Sequence, residues 1–270
     1  MKTTIFCVAG ALLMACNASA ADEIKVLSAG AMQRGLLVIA GKFKERTGHT
    51  IKVEYATAPE LTKMLLGDTA KADVILAPKP VLAQLTSAGK VGGDGQKDVG
   101  GVGAAVLVRN GAPLPDISSL DALKRSLIEA DAVVHNRASS GIYIESMLKK
   151  IGVYDQIEKK IVKVADGDAV TARIKGGTGK EFGFGGYTDV LHNQDSGDVK
   201  LVAPIPEEVQ NYTLYAGAAI ASSPNQAHAG AFLNYLGSPE AAEAFKEAAW
   251  CRCASSGALA RADPAPPPRT

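Results

Sequence analysis

Apolar positions along the chain alternate between two periods. Over 22–29, Ile24, Val26 and Leu27 predict a short strand. Over 32–47, Leu36, Leu37, Ile39, Ala40 and Phe43 recur near every 3.6 residues and predict an amphipathic helix that Gly48 stops. The same pair returns twice more: strand 51–56 with helix 59–66 before Gly67, then strand 73–77 with helix 80–88 before Gly89. Short strand–helix–strand connections of this kind give a parallel sheet covered on both faces. A Gly-rich apolar strand over 100–108 then leads away from this first set.

A second set follows. Helix 120–130 takes Ser118 as its cap and is followed by strand 132–135, helix 141–151 ended by Gly152, and strand 161–164. A short helix near 169–175, strand 181–185, helix 187–192 and strand 199–202 continue it. A long strand over 212–221 and helices 225–236 and 239–250 complete the body. The expected fold class is therefore α/β, with two lobes, each a mostly parallel sheet flanked by helices, and a ligand cleft between them. The expected division is 21–105 for the first lobe, 106–211 for the second, and 212–250 for the return to the first.

Composition agrees with a folded body. The chain has 270 residues, 47% of them hydrophobic and 21% charged, with 29 Lys and Arg against 28 Asp and Glu. This excludes a disordered chain, a collagen-like repeat and a polybasic nucleic-acid binder. No overall field draws anions in, so any anion must be held locally. Aromatic residues are only 5%, so the core must be built from Val, Ile, Leu and Ala, which suits buried sheet under Ala-rich helices.

The two ends read differently. Residues 1–20 have the parts of an export signal in order: Lys2, an apolar stretch over 5–15, and the small residues Ala18-Ser19-Ala20 at a cleavage site. The apolar stretch is too short to span a bilayer, which needs about 20 residues. Leu13-Met14-Ala15-Cys16 is similar to a lipobox, so a lipid anchor at Cys16 is the secondary reading. Either way the chain is expected to be exported, to the periplasm. After Trp250, residues 251–270 carry Pro264, Pro266, Pro267 and Pro268 with no apolar periodicity and read as a disordered tail. Cys251 and Cys253 lie in that tail, too close for an unstrained mutual disulfide. No metal site is expected: His49, His135, His192 and His228 are scattered without ligand spacing.

Candidate chemistry lies where strands pass into helices. In open α/β sheets ligands bind beyond the carboxyl ends of the strands, where helix N-termini offer unpaired N–H groups and partial positive charge. Three such turns carry small residues: Ser28-Ala29-Gly30-Ala31, Ala56-Thr57-Ala58-Pro59 and Arg137-Ala138-Ser139-Ser140-Gly141. Small side chains let a ligand approach the backbone. The segment 175–180 looks like a phosphate loop, but the Ser or Thr after its Lys is missing and the first Gly is lacking, so it reads as a mobile loop. No G-x-S-x-G elbow is present for a serine hydrolase.

Read together, the stretches IKVLSAGAM (24–32), FKERTGHTIKVEYATA (43–58), KADVILAPKPVLAQL (71–85), ASSGIYIESMLKKIGV (138–153), YTLYAGAAIASSP (212–224) and FLNYLGSPEAAEAFK (232–246) resemble the periplasmic substrate-binding proteins of ABC importers. The resemblance is to the molybdate-binding, type II group and runs over about 22–250. It implies a two-lobe fold with crossings near 104–109 and 212–217, closure on a small anionic ligand and delivery to an ABC permease in the inner membrane. Molybdate binders resemble this chain but carry Ser where Ala31 stands and a Ser-rich turn where 56–59 stands. Both departures remove hydroxyl donors, so a carboxylate ligand fits at least as well. The same group of look-alikes includes an aconitate-isomerase-like branch, whose chemistry is a proton shift across an allylic tricarboxylate.

Several residues then have two readings each. Arg34 and Arg137 are candidate carboxylate clamps or solvated surface cations. Thr57 and Glu60 match a capping box, T-x-x-E, or serve as ligand donor and base. Ser139 and Ser140 cap a helix, contact ligand, or both. Gly30, Ala31, Met32, Ala58 and Gly141 supply backbone to the ligand. Tyr187 is a ligand contact or a packing residue, and Tyr212 and Tyr215 are read as packing at the crossing. The leading expectation is a monomeric binding protein that captures a small oxyanion or carboxylate, with no cofactor and no nucleic acid. The alternative is an isomerase in which Glu60, His135 or Tyr187 moves the proton.

Overall fold

In the computed structural model, residues 23–194 and 196–247 are described. The expected export signal, Cys16 and the tail lie outside them. The first half is a sheet of strands β1 (Glu23–Ala29), β2 (Thr50–Ala56), β3 (Val74–Pro78), β9 (Tyr212–Ala219) and the start of β4 (Lys97–Arg109), in the order β2-β1-β3-β9-β4. The β1–β2 and β1–β3 pairs are parallel; β9 runs antiparallel to β3 and to β4. Helices α1 (Gln33–Thr47), α2 (Ala58–Leu66), α3 (Lys79–Ser87), α9 (Gln226–Leu236) and α10 (Pro239–Glu247) belong to this half. Leu36, Ile39 and Phe43 form the buried stripe of α1, and Gly48 ends the helix at φ 77°, a left-handed value that suits glycine.

Strand β4 is 13 residues long and joins the halves. Gly103 is the last residue paired with β9, opposite Tyr212; Ala104 is the first paired with β7 (Glu181–Gly186). At the switch the Gln210 side chain acts as a strand partner. Its Oε1 accepts from Ala104 N at 2.8 Å and its Nε2 donates to Ala104 O at 3.0 Å. The second half continues β8-β4-β7-β5-β6, with β5 (Ala132–Asn136), β6 (Ile161–Val164) and β8 (Val199–Pro204). Its helices are α4 (Leu120–Glu129), α5 (Ser139–Lys150), α6 (Tyr154–Ile157), α7 (Gly167–Lys175) and α8 (Tyr187–Gln194).

The cores divide along the same line. One apolar cluster gathers Ile24, Phe43, Leu76, Phe232 and Phe245 under the first sheet. Two more lie on opposite faces of the second, around Leu123, Ile144 and Phe184 and around Leu107, Val134 and Ile174. The cap of α4 differs from expectation. Ser119 rather than Ser118 accepts from Ala122 N, because Ser118 donates its hydroxyl to Asp116 instead. The Lys175–Lys180 loop is structural too: Lys175 pairs with Asp198, and Lys180 N donates to Asp131.

Asp73 shows how the first half is fastened. Its buried carboxylate accepts from Lys25 N at 2.8 Å, Ser223 Oγ at 2.6 Å and Asn225 Nδ2 at 3.2 Å. It thereby ties β1, the entry to β3 and the start of α9 together. Asp73→Ala leaves these donors without their acceptor and is expected to cost about 2 kcal/mol, read as a lower midpoint in urea unfolding. An unchanged midpoint would refute the role.

Candidate functional site

The halves meet at a cavity of about 200 Å³. All three small-residue turns open on it: Ala29, Gly30 and Ala31; Ala56, Thr57 and Ala58; Ala138, Ser139 and Ser140. Each follows a parallel strand, β1, β2 or β5, so each brings the start of a helix to the wall. Arg34, in the first turn of α1, lies in the same wall, and its Nη1 reaches Leu191 O on α8 at 3.4 Å. Across that contact Thr188 Oγ1 donates to Ala31 O at 2.9 Å, a buried hydrogen bond from the second half to the first.

The turn before α5 is partly closed by its own sequence. Asn136, the last residue of β5, turns its carboxamide into the helix start. Its Oδ1 accepts from Ala138 N at 3.0 Å and Gly141 N at 3.1 Å. Ser139 and Ser140 line the cavity, while Gly141 is buried against Asn136 and does not. The turn before α2 is closed as well. Glu60 Oε2 accepts from Thr57 N at 2.9 Å and from Thr57 Oγ1 at 2.8 Å. The capping reading of this pair therefore accounts for both side chains. The Thr57 bonds hold the Glu60 carboxyl below the usual range, which makes it a weak base.

Other candidates are placed away from the wall. Met32 is absent from the wall, its large apolar side chain fully buried in the first core cluster. Arg137 is exposed and absent from the wall, since Asn136 before it occupies the inward direction. His135 is 2% exposed and also absent from the wall. Its Nδ1 lies 3.0 Å from Asn136 O, and Nε2 has no partner among the described residues. Burial pushes its pKa down, so the ring is a neutral interior group. Tyr187 packs against two of the apolar clusters rather than the cavity.

Sequence reasoning missed the acidic side of the wall. Asp166 comes from the turn before α7, Gly167 and Asp168 from the start of α7, and Asp189, His192 and Asn193 from α8. Asp166 caps α7 by accepting from Ala169 N at 2.8 Å, and Asp168 accepts from Asn193 Nδ2 at 3.3 Å. Asp189 differs from both. Deep placement and the neighbouring Asp168 and Asp166 charges push its pKa up to about 7. Tyr215 of β9 stands in the same wall, with its pKa raised by burial and by Asp189. Burial also lifts Tyr55, at the end of β2, to about 12. The sequence signal was an Asp two residues inside a helix after the Gly185-Gly186 strand end. The same pattern describes any helix with an acidic first turn.

Comparison with known proteins narrows what such a cleft belongs to. Residues 24–250 match the family of bacterial extracellular solute-binding proteins. An aconitate isomerase from a Pseudomonas species is 30% identical over 253 residues, 88% of this chain and 92% of that one. Among solved structures, the periplasmic molybdate-binding protein of Azotobacter vinelandii superposes with TM-score 0.71 at 16% identity, over 84% of this chain and 98% of its own. The sulfate-binding protein SubI of Mycobacterium tuberculosis gives 0.73 at 18% identity, over 87% and 88%. The two sheets, the crossing strand and the cleft at the strand ends are thus the periplasmic-binding-protein fold of type II. With the family matched along nearly all of the described residues, this chain belongs to the bacterial extracellular solute-binding proteins.

Proposed function

We propose that the cleft binds a small polycarboxylate outside the cytoplasm and shifts a proton along it, as an aconitate isomerase does. The observation that carries this reading is the convergence of three helix starts and Arg34 on one cavity. Helix N-termini bind anions through N–H groups and the helix dipole, and Arg adds a planar fork matched to carboxylate. Ser139 and Ser140 supply hydroxyls from the second half. The ligand is held by Gly30, Ala31, Ala58, Ser139 and Ser140 on two sides, with Arg34 on a carboxylate of the ligand. Support for the reaction comes from the relative named aconitate isomerase, similar along almost the whole chain.

The chemistry is an allylic shift. A base removes a proton from the methylene carbon of trans-aconitate, the electron pair delocalises over three carbons toward a carboxylate, and the proton returns at the far carbon. The double bond moves and no atom is gained or lost. Fixed positive dipoles stabilise the charge that develops in between.

Export through the leader and delivery of a captured anion to an importer is the second reading. The likeness to molybdate- and sulfate-binding folds favours it, and the same cleft serves it without turnover. Incubation of the purified protein with trans-aconitate, followed by proton NMR, separates the two. Formation of cis-aconitate, lost in Arg34→Ala, is expected. Calorimetric binding of trans-aconitate, sulfate or molybdate with no conversion would replace the isomerase reading by the transport one.

A further inference from the structure

We propose that Asp189 is the proton carrier of the cleft, a carboxyl held in a glycine-walled slot where it meets the bound ligand. This deepens the polycarboxylate reading and rests on it.

The slot is built from three elements. Asp189 projects from the first turn of α8. A Cβ on Gly186, at the end of β7, would lie 3.0 Å from Asp189 Oδ2; a Cβ on Gly167, at the start of α7, would lie 3.6 Å from the same atom. Glycine at both places leaves room for the carboxyl. Asp189 also lines a second small cavity with Ala31, Ser140, Gly186 and Tyr215, so it stands where turns of both halves meet. Thr188, its neighbour, is bonded to Ala31 O, which fixes the first turn of α8 against the opposite half. Asp189 is half-buried, with part of its surface open to the cavity.

The charged and titratable groups around it explain why it exchanges a proton. Asp166 and Asp168 face it from the α7 side, Tyr215 from β9, and His192 lies one turn along α8. Arg34 of α1 and Glu60 of α2 share the cavity wall. Among the described residues no hydrogen bond lowers the proton affinity of Asp189, whereas burial and two like charges raise it. The helix dipole of α8 opposes this without cancelling it. The other acids of the wall are committed: Glu60 to Thr57, Asp166 to the α7 cap and Asp168 to Asn193. Asp189 is left as the carboxyl poised near neutral pH, where a general base is most effective. In the shift, its ionised oxygen takes the methylene proton; the C–H bond breaks and an O–H bond forms. The same O–H returns the proton to the far carbon. An anion entering beside it raises its proton affinity further, so binding is linked to proton uptake.

The test uses the full chain and Asp189→Asn. In the ligand-free protein, carboxyl carbon NMR is expected to show one Asp signal that titrates near neutral pH and is missing from the variant. Tricarballylate, a saturated tricarboxylate that cannot isomerise, is then titrated calorimetrically at pH 7 in buffers of different ionisation enthalpy. Wild type is expected to take up protons on binding. Asp189→Asn is expected to bind within a few-fold and take up measurably fewer. With trans-aconitate in deuterated water, exchange of the allylic protons is expected to fall by about 100-fold or more in the variant. An Asp189 signal titrating below about pH 5, proton uptake unchanged in the variant, or exchange at the wild-type rate would each overturn the proposal. Wild type that neither exchanges nor converts aconitate, yet loses its proton uptake in Asp189→Asn, counts against the isomerase reading alone and leaves Asp189 as the proton-linked group.

Discussion

Asp189→Asn is expected to make the protein more stable at pH 8, by about 2–4 kcal/mol, while removing its proton exchange. The Asp189 carboxyl titrates near 7 in the folded chain against an ordinary value of 3.8. A folded-state value raised above the unfolded one means that the native protein binds more protons than the unfolded chain between those values. Stability then falls as pH rises from about 4 to 7 and levels off above. Each tenfold difference in proton affinity corresponds to about 1.4 kcal/mol, which sets the upper end near 4 kcal/mol. Water entering the cavity screens part of it and sets the lower end. Asparagine has nearly the same shape and no charge, so it removes the penalty without opening a hole. Urea unfolding of both proteins at pH 4.5 and pH 8 checks this. The gap should be about 1 kcal/mol at the lower pH and widen to its full size at the higher, with the variant ahead. A variant less stable at pH 8, or a gap that does not change with pH, would show that Asp189 ionises without strain. Such a cost, kept at a carboxyl of the cavity wall, is the usual trade between stability and function.

Why the sequence exposed one wall of the cleft and hid the other follows from local against non-local order. The three small-residue turns announced themselves because a strand, a helix and the turn between them are contiguous, and β1–α1, β2–α2 and β5–α5 each obey the strand-end rule. The apolar stripe of α1 and its glycine stop were legible for the same reason. What periodicity does not carry is rotation about the chain. The turn at Gly30–Met32 winds as a 3-10 segment with Met32 buried. At the end of β5 the choice of Asn136 over Arg137 for the inward direction depends on the bond from its carboxamide to Gly141 N. By sequence His135 is a candidate to move the proton, but it is a neutral interior ring. The acids arrive from α7 and α8; α8, with α7 packed beside it, becomes a neighbour of α1 only when the second half docks on the first through Thr188 and Arg34. No window of sequence holds Asp189 and Tyr215 together. Their meeting depends on β9 returning to pair with β4.

The same turn supplies the second large effect, and its sign opposes what helix propensity alone would give. Gly141 lies in the first turn of α5, where Ala is the better helix former by up to about 1 kcal/mol. Gly141→Ala should nevertheless destabilise by about 3 kcal/mol or more. A Cβ there would meet Asn136 O at 1.8 Å, and the Asn136 carbonyl carbon and Oδ1 at 2.6 Å each. These include backbone atoms of β5, which cannot swing aside like the end of a flexible side chain. Relief requires α5 to withdraw from the strand. Overpacking of this kind costs about 1–3 kcal/mol, and the withdrawal also breaks the bonds by which Asn136 Oδ1 holds Ala138 N and Gly141 N, leaving a buried polar group unsatisfied at about 1–3 kcal/mol more. At this chain length the loss corresponds to a fall in Tm of roughly 6–12 °C. Gly41→Ala is the matched control: an exposed glycine within α1 with nothing within 4 Å of its added Cβ, expected to gain a few tenths to about 1 kcal/mol. Because α5 carries Ser139 and Ser140 into the cavity wall, Gly141→Ala should also weaken tricarballylate binding at temperatures where the variant is still folded. Melting of Gly141→Ala at or above the wild-type temperature would mean that α5 does not start against Asn136, and the wall built from that turn would have to be redrawn.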